Sequence, residues 1–231
     1  DGDKELLNQL RDKFNEKLIG SVTKQVKKVL RKLATDENSF IEASVYFKPK
    51  KYNEKDGKIE FRPLHTTRIV QQIAAVSILN LFIYEPYEKN GKLVLSNISR
   101  LIPENFYGNR VSTRPEVLFK PWKTQYKKYT QIANDLFKTY HETREYNYEV
   151  DLDLEDFFPS VNIRRVYRQI LDLLPVTIQG EERNVYKALL IKLLVCKIDN
   201  LEENTVGLYY GYRYYEGQTN YGMGIAQGLP Q

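Results

Sequence analysis

A short stretch in which acidic and apolar residues alternate constrains this chain more than any other segment. In Tyr148–Leu152, three apolar residues alternate with Glu149 and Asp151, and the alternation continues through Asp153 and Leu154. A period of two predicts a β-strand with one apolar face and one acidic face. Because a buried carboxylate without a partner costs free energy, the acidic face must meet water, a cation or a hydrogen-bond donor.

A turn and a helix follow this predicted strand. Phe157, Phe158 and Pro159 mark the turn, and helical spacing begins at about Asn162. A carboxylate at the end of a strand can hold a divalent metal ion, and an aromatic ring five positions later can pack beside a nucleotide sugar. An amphipathic strand with a solvated acidic face is the alternative interpretation of the same pattern.

The segment DLEDFFPSV resembles the first catalytic motif of bacterial reverse transcriptases. This group includes retron, group II intron and abortive-infection (defence-associated) enzymes. The resemblance implies that Asp153 binds a catalytic metal ion, Mg²⁺ or Mn²⁺, with help from the backbone carbonyl of Leu154. It also implies that Phe158 screens the 2′ position of the nucleotide sugar.

A basic segment upstream is predicted to form a β-hairpin over residues 44–64. Asp56-Gly57 is the turn signal, and the segment carries six cations: Lys48, Lys50, Lys51, Lys55, Lys58 and Arg62. It resembles the fingers hairpin of reverse transcriptases, in which a lysine and an arginine hold the triphosphate of the incoming nucleotide. The resemblance implies Lys51 and Arg62 for this role, with Lys50 as the alternative lysine. An ordinary charged surface hairpin is the other interpretation.

Two further segments resemble parts of these enzymes that face the template. TRIVQQ, at the start of a predicted helix over Arg68–Ile83, is similar to a segment of the group II intron enzymes. ENFYGNRVS is similar to a segment that lines the template near the active site. The resemblance implies three template-binding residues: Arg68, Gln71 and Arg110. A surface helix and a tight structural loop are the alternatives.

The last ten residues, GMGIAQGLPQ, resemble the second polymerase motif of the family, with Ala226 where proline is usual. The resemblance implies that Gln227 and Gly228 contact the incoming nucleotide and the template base, where a glycine lets the backbone approach closely. The family's other catalytic carboxylates lie in a Tyr/Phe-x-Asp-Asp hairpin after this motif, and that hairpin does not occur in the sequence. We therefore expect a fragment that does not extend a primer by itself.

Apolar periodicity predicts several helices. One is expected over residues 4–34, with lysines that face solvent or template backbone. Another begins near Trp122, with an aromatic and aliphatic stripe that is mostly core and with three exposed lysines, Lys123, Lys127 and Lys128. Helices are also expected over residues 162–174 and 181–196, the second ending in an apolar run where Cys196 is buried and inert.

Composition indicates a globular protein and permits a polyanionic partner, although most tyrosines in proteins are simply packed. The chain is 42% hydrophobic and 13% aromatic, which excludes a disordered protein. Its net charge of +5 and its 18 tyrosines, interleaved with lysine and arginine, suit contact with phosphates and bases. The single cysteine excludes an intramolecular disulfide and a cysteine-based zinc site. No apolar run is long enough to span a membrane and no signal peptide is visible, so we expect a cytoplasmic protein.

Together these features predict an α+β protein with a right-hand polymerase fold and an antiparallel sheet. Fingers are expected over residues 1–147 and a partial palm over residues 148–231. The expected activity is RNA-directed DNA synthesis with an RNA template, a DNA or RNA primer and dNTPs, away from any membrane; a second copy of the chain is a further candidate partner.

Three other functions are considered. A defence-associated enzyme that works without a template or from a protein primer is the first alternative. A catalytically inactive palm that binds RNA or protein is the second. An RNA-dependent RNA polymerase is disfavoured, because Phe158 is bulky where such an enzyme needs room for a 2′-hydroxyl.

Overall fold

The computed structural model describes residues 2–11, 15–114, 117–144, 148, 150, 152–154, 157–200, 224–226 and 228. In chain order its elements are α1 (Gly2–Leu10), α2 (Glu16–Thr35), β1 (Ile41–Asn53), β2 (Lys58–Thr66), α3 (Ile69–Ile83), β3 (Tyr84–Lys89), β4 (Lys92–Leu95), α4 (Asn97–Arg100), α5 (Trp122–Thr143), α6 (Phe157–Ser160), α7 (Ile163–Leu173), α8 (Gly180–Leu194) and β5 (Cys196–Ile198). Helices and short sheets are mixed, so the fold class is α+β, as predicted.

The chain divides into two units. Unit 1 comprises Asp1–Leu81 and Asp156–Gln231, and unit 2 comprises Phe82–Glu155. Unit 1 holds the three-stranded sheet and the helices around it, whereas unit 2 holds β3, β4, α4 and α5. The boundary between fingers and palm predicted after residue 147 stays a prediction.

The sheet of unit 1 has the strand order β2-β1-β5. β1 and β2 pair antiparallel around a turn in which Gly57 has a φ of 61°, so the predicted hairpin is confirmed with longer strands. β5 pairs with β1 in parallel. Ile41, Ala43 and Val45 on β1 are buried and alternate with more exposed residues, which gives the sheet one apolar face.

Side-chain hydrogen bonds extend the short pairing between β1 and β5. The Asn200 side-chain amide accepts from the Val45 N–H at 2.8 Å and donates to the Val45 carbonyl at 2.9 Å. Ser44 Oγ donates to the Asp199 carboxylate at 2.7 Å. The two Asn200 bonds satisfy backbone groups of β1 that β5 is too short to reach.

The core of unit 1 lies between the sheet and its helices. Val22 and Val26 on α2 pack with Ala74 on α3, and α2 and α7 both contact α8. The deepest side chains are large and aliphatic, as in Leu33 and Leu190. None of the helices in the described ranges combines the length and apolar character needed to cross a membrane.

The prediction of a single helix over residues 4–34 is wrong. α1 ends at Leu10, and α2 starts at Glu16 after an N-cap at Asn15. The Asn15 side chain accepts from the Leu18 N–H at 3.1 Å. Asparagine is among the best N-cap residues, so it starts a new helix where apolar spacing alone predicts a continuous one. Residues 12–14 lie outside the described part of the chain.

The strand predicted over Tyr148–Leu152 is not formed in the described part of that stretch. The described residues of this stretch and the two residues after it have irregular backbone and exposed side chains: Tyr148, Val150, Leu152, Asp153 and Leu154. A strand is stable only when its backbone groups pair with a neighbour, and neither sheet of the described residues includes this stretch. Glu149 and Asp151 lie outside the described residues.

Unit 2 is built on a hairpin and a long helix. β3 and β4 pair around Asn90 and Gly91, which both have positive φ. Ser96 Oγ donates to the Phe82 carbonyl at 2.5 Å, and Tyr84 Oη donates to the Ser112 carbonyl at 2.7 Å.

The expectation that the apolar stripe of α5 is mostly core is wrong. Five of its side chains have exposed fractions of 43–61%: Tyr126, Tyr129, Ile132, Leu136 and Phe137.

Cys196 opens β5 and does not lie in a helix, because α8 ends at Leu194. Burial raises the pKa of its thiol to about 12. The thiol therefore stays protonated at neutral pH and is a poor nucleophile, which agrees with the expectation that Cys196 is inert.

Candidate functional site

The register of the hairpin decides which cations share a face. Lys48 is directly opposite Arg62, and Lys51 is directly opposite Glu60. The register shifts between Pro49 and Lys51, which makes Lys50 the extra residue of a β-bulge. Directly opposed residues project to the same side of a sheet, so Lys51 lies on the face of Glu60. Arg62 is two residues after Glu60 on β2 and therefore lies on that face too.

Lys48 belongs to this face too, although sequence reasoning gave it no role. It lies across the ladder from Arg62, and like charges in directly opposed positions destabilise a sheet. An anion bound beside Lys48 and Arg62 would relieve this repulsion. Counting the register back from the Asp56-Gly57 turn would have placed Lys48 opposite Arg62, but only with the bulge included.

We call the described part of the second predicted motif, residues 224–226 and Gly228, the AQG segment. It packs on the turn that contains Phe158. The Gly224 N–H donates to the Val161 carbonyl at 2.7 Å, and the Ile225 N–H donates to the Phe158 carbonyl at 2.9 Å. Ala226 is buried. The residue at the position usually held by proline is therefore a packed part of unit 1.

Gly228 meets the main chain of β2. Its φ is +105°, and a Cβ built on it would lie 2.8 Å from the His65 carbonyl oxygen and 3.4 Å from the His65 nitrogen. Gly228 therefore lies against the backbone of β2, three residues along that strand from Arg62. Only glycine fits this approach.

Phe158 is fixed from two sides. Its ring is half-buried and packs edge-to-face on Phe157, with 5.4 Å between ring centroids and 78° between ring planes. Its carbonyl holds Ile225. The turn, the AQG segment and β2 therefore meet in one place. Gln227, the remaining residue predicted for this site, lies outside the described residues.

Arg68 and Gln71 line a separate polar cavity of about 270 Å³ in unit 1. Its walls include three carboxylates, Asp3, Glu42 and Asp199. The Gln71 side-chain oxygen accepts from the Glu42 N–H at 2.6 Å, and Asp3 accepts from the Ile69 N–H at the start of α3 at 3.3 Å. Since carboxylates outnumber the one guanidinium, this cavity favours hydrogen-bond donors over phosphate.

Arg110 lies in unit 2, and its side chain bonds to the backbone of the loop that contains it. Its Nη1 donates to the carbonyl of Pro103 at 2.5 Å and to that of Phe106 at 3.0 Å. The guanidinium thereby fixes the backbone that precedes Tyr107.

Asp153 is exposed, and its carboxylate accepts from the N–H of Leu154 at 3.0 Å. Across the described ranges, no group of three or more His, Cys, Asp or Glu residues is arranged to hold a metal ion. Protein sites for Mg²⁺ and Mn²⁺ combine several oxygen ligands. One exposed carboxylate does not make such a site, so the described residues do not assemble the predicted metal centre.

The residues predicted from the resemblance thus separate into groups. Unit 1 holds Lys51, Arg62, Phe158 and Gly228. Within it, the AQG segment contacts both the Phe158 turn and β2. Arg110, Asp153 and Leu154 belong to unit 2. A scan against protein-family models found no matching model, and searches of curated proteins and of solved structures found no significant match.

Proposed function

We propose that unit 1 forms the nucleotide-binding part of a polymerase of the reverse-transcriptase type, which copies RNA into DNA from dNTPs. One observation carries the proposal. The AQG segment bonds to the Phe158 turn through Gly224 and Ile225, and its Gly228 lies against the backbone of β2, the strand that carries Arg62. The resemblance assigned these three segments to the incoming nucleotide from sequence alone, and they are far apart in the chain.

The hairpin cations supply the triphosphate contacts in this proposal. Arg62 donates to phosphate oxygens in a fork geometry, while Lys51 and Lys48 act as point charges on the same face. Such cations stabilise the charge that develops on the leaving pyrophosphate.

Phe158 and Gly228 supply the contacts to the sugar and the base pair. The Phe158 ring is held by Phe157 and so keeps a fixed position beside the sugar, where it excludes a 2′-hydroxyl. The absence of a side chain at Gly228 leaves room for a base pair next to β2.

Asp153 contributes one carboxylate to a Mg²⁺ or Mn²⁺ site in this proposal, and further ligands must come from residues outside the described ranges. Gln71 and Arg110 act on the template by fixing the backbone around them, because their side chains already bond to backbone groups.

Nucleotide binding tests the proposal directly. We expect the chain to bind dTTP more tightly than 5-methyl-UTP, which differs from it only by the 2′-hydroxyl, in equilibrium dialysis with labelled nucleotides. Arg62→Ala removes a charged donor and should weaken dTTP binding by about tenfold or more. Phe158→Ala should raise 5-methyl-UTP binding relative to dTTP, because the ring no longer blocks the 2′ position. Arg168→Ala, an exposed arginine on α7, is the matched control and should bind as the wild type does.

Equal loss of binding in Arg62→Ala and Arg168→Ala would contradict the hairpin assignment. Polymerisation is tested with a primed RNA template, using the chain together with any residues that follow Gln231 in its reading frame. There Asp153→Asn should bind dTTP normally and extend no primer. Extension by that variant at the wild-type rate would rule out the catalytic role of Asp153.

A further inference from the structure

The first turns of α5 expose a row of aromatic side chains that the nucleotide proposal does not use. Trp122, Tyr126 and Tyr129 follow one another at i, i+4 and i+7, so they share a helix face. Their exposed fractions are 68%, 61% and 52%. Large aromatic side chains are usually buried or bound, so this much exposure on one face marks an interaction surface.

The loop before α5 adds a fourth ring. Tyr107 lies 6.2 Å from Tyr129 between ring centroids, and Tyr129 lies 6.4 Å from Tyr126. The planes are tilted by 51° and 39°, so the rings do not cover one another by parallel stacking.

Hydrogen bonds within unit 2 hold this loop in place. Arg110 bonds to the carbonyls of Pro103 and Phe106, and the Lys120 N–H donates to the Arg110 carbonyl at 2.8 Å. The rings on the loop and on the helix are therefore positioned before any ligand binds.

The stretch of sequence that carries the three helix rings has charges of one sign. Between Leu118 and Asn134 the sequence has no acidic residue and four lysines: Lys120, Lys123, Lys127 and Lys128. Lys123 Nζ lies 5.9 Å from the centroid of the Trp122 ring. A partner for this surface must therefore combine flat apolar groups with negative charge.

We propose that the α5 aromatic face (Tyr107, Trp122, Tyr126 and Tyr129) binds single-stranded nucleic acid, with bases stacked on the rings and phosphates beside the four lysines. Unpaired bases offer the free faces that stacking needs, whereas duplex bases are already stacked on each other. The surface belongs to unit 2 and needs no bound dNTP, so it does not rest on the proposed polymerase function.

Trp122 is the only tryptophan of the chain, so intrinsic tryptophan fluorescence reports on this face. We expect saturable quenching by a 12-residue oligouridylate or oligothymidylate and none by a blunt DNA duplex. With four phosphates neutralised, doubling the salt concentration should weaken binding roughly sevenfold. Tighter binding of the RNA or of the DNA oligomer identifies the strand that the face holds, and either result supports the proposal.

Variants that keep Trp122 separate stacking from other effects. Tyr126→Ala with Tyr129→Ala should weaken binding about tenfold or more, and Tyr126→Phe with Tyr129→Phe should bind as the wild type does because the rings remain. Tyr46→Ala, which removes a 51% exposed tyrosine of β1, is the aromatic control. Lys127→Glu should weaken binding, whereas Lys187→Glu on the exposed side of α8 should not.

Several results would overturn the proposal. They are the absence of quenching by either oligonucleotide, equal quenching by duplex, or an equal loss in Tyr46→Ala and the double tyrosine variant. Self-association of the chain through α5 without any response to oligonucleotide would instead assign the face to a second copy.

Discussion

Gly228 is the residue with the least freedom in the candidate site. A Cβ there would press on the backbone of His65, not on the flexible end of a side chain. β2 also pairs with β1, so His65 cannot move away without disturbing the hairpin. The positive φ of Gly228 adds strain for any other residue.

Replacing Gly228 with alanine should therefore lower the free energy of unfolding by about 1–3 kcal/mol, as measured by urea denaturation. Gly20→Ala is the matched control. Gly20 lies inside α2 with no atom within 4 Å of a built Cβ, so alanine there should stabilise the protein by about 0.5–1 kcal/mol. Wild-type stability in Gly228→Ala would show that the AQG segment does not pack on β2.

The amino-acid sequence alone did not decide which hairpin lysines share a face with Arg62. The sequence left Lys50 and Lys51 as alternatives, and it left Lys48 without a role. The bulge after Pro49 decides the matter, since one extra residue moves every later side chain to the opposite face. Proline lacks a backbone N–H, which makes it a natural place for such an irregularity.

At the scale of single elements, α5 and α8 differ in how many of their side chains are buried. α8 buries six side chains: Tyr186, Leu189, Leu190, Lys192, Leu193 and Leu194. On α5, a longer helix, the buried residue is Gln125. Most helical stability in proteins comes from such packing and not from intrinsic propensity, so α5 should open far more readily than α8.

Native-state hydrogen exchange followed by mass spectrometry tests this difference. Amides in α5 should exchange at least about 100-fold faster than amides in the second half of α8, because local opening of α5 exposes little apolar surface. Rates from the urea-unfolded chain supply the intrinsic reference. Equal protection of the two helices would mean that α5 is covered in solution.

Apart from the break before Asn15, periodicity predicted where helices lie, but it did not predict what covers them. The apolar spacing of α5 is the same signal that predicts a core helix, and the sequence does not say whether a neighbour exists. The strand predicted before Asp153 is absent from the described residues for a related reason. Alternation favours a strand, but a strand also needs a neighbouring strand for its backbone hydrogen bonds. In contrast, the β1–β2 hairpin supplies its own partner and was predicted with nearly correct bounds.

At the scale of the whole molecule, unit 1 is assembled from both ends of the chain, whereas unit 2 is continuous. Lys192 illustrates this assembly. Its ammonium group on α8 donates to the Glu37 carbonyl and lies 3.8 Å from the centroid of the Phe40 ring. Desolvation by burial lowers the pKa of this group, although Asp36 and Glu37 oppose the shift. The bond ties a late helix to the connection between α2 and β1.

A chain ended after residue 155 tests this dependence. It lacks α6, α7, α8 and β5, so β1 loses its parallel neighbour and α2 loses the helix that packs on it. We expect it to lose cooperative thermal unfolding, as measured by circular dichroism. The matched control starts at residue 15 and lacks only α1, whose described side chains are mostly exposed, and it should still melt cooperatively. A sharp transition in the chain ended after residue 155 would show that its first half folds alone.

The parallel pairing of β1 with β5 also has a consequence for synthesis on the ribosome. Asn200, which bonds to Val45, is made 155 residues later. At translation rates of about 5–20 residues per second, β1 waits roughly 8–30 s for its neighbour. During that time one edge of β1 is unpaired, and unpaired strand edges attract other chains. Until Asn200 has emerged from the ribosome, the nascent protein therefore exposes a strand edge on which another chain can pair.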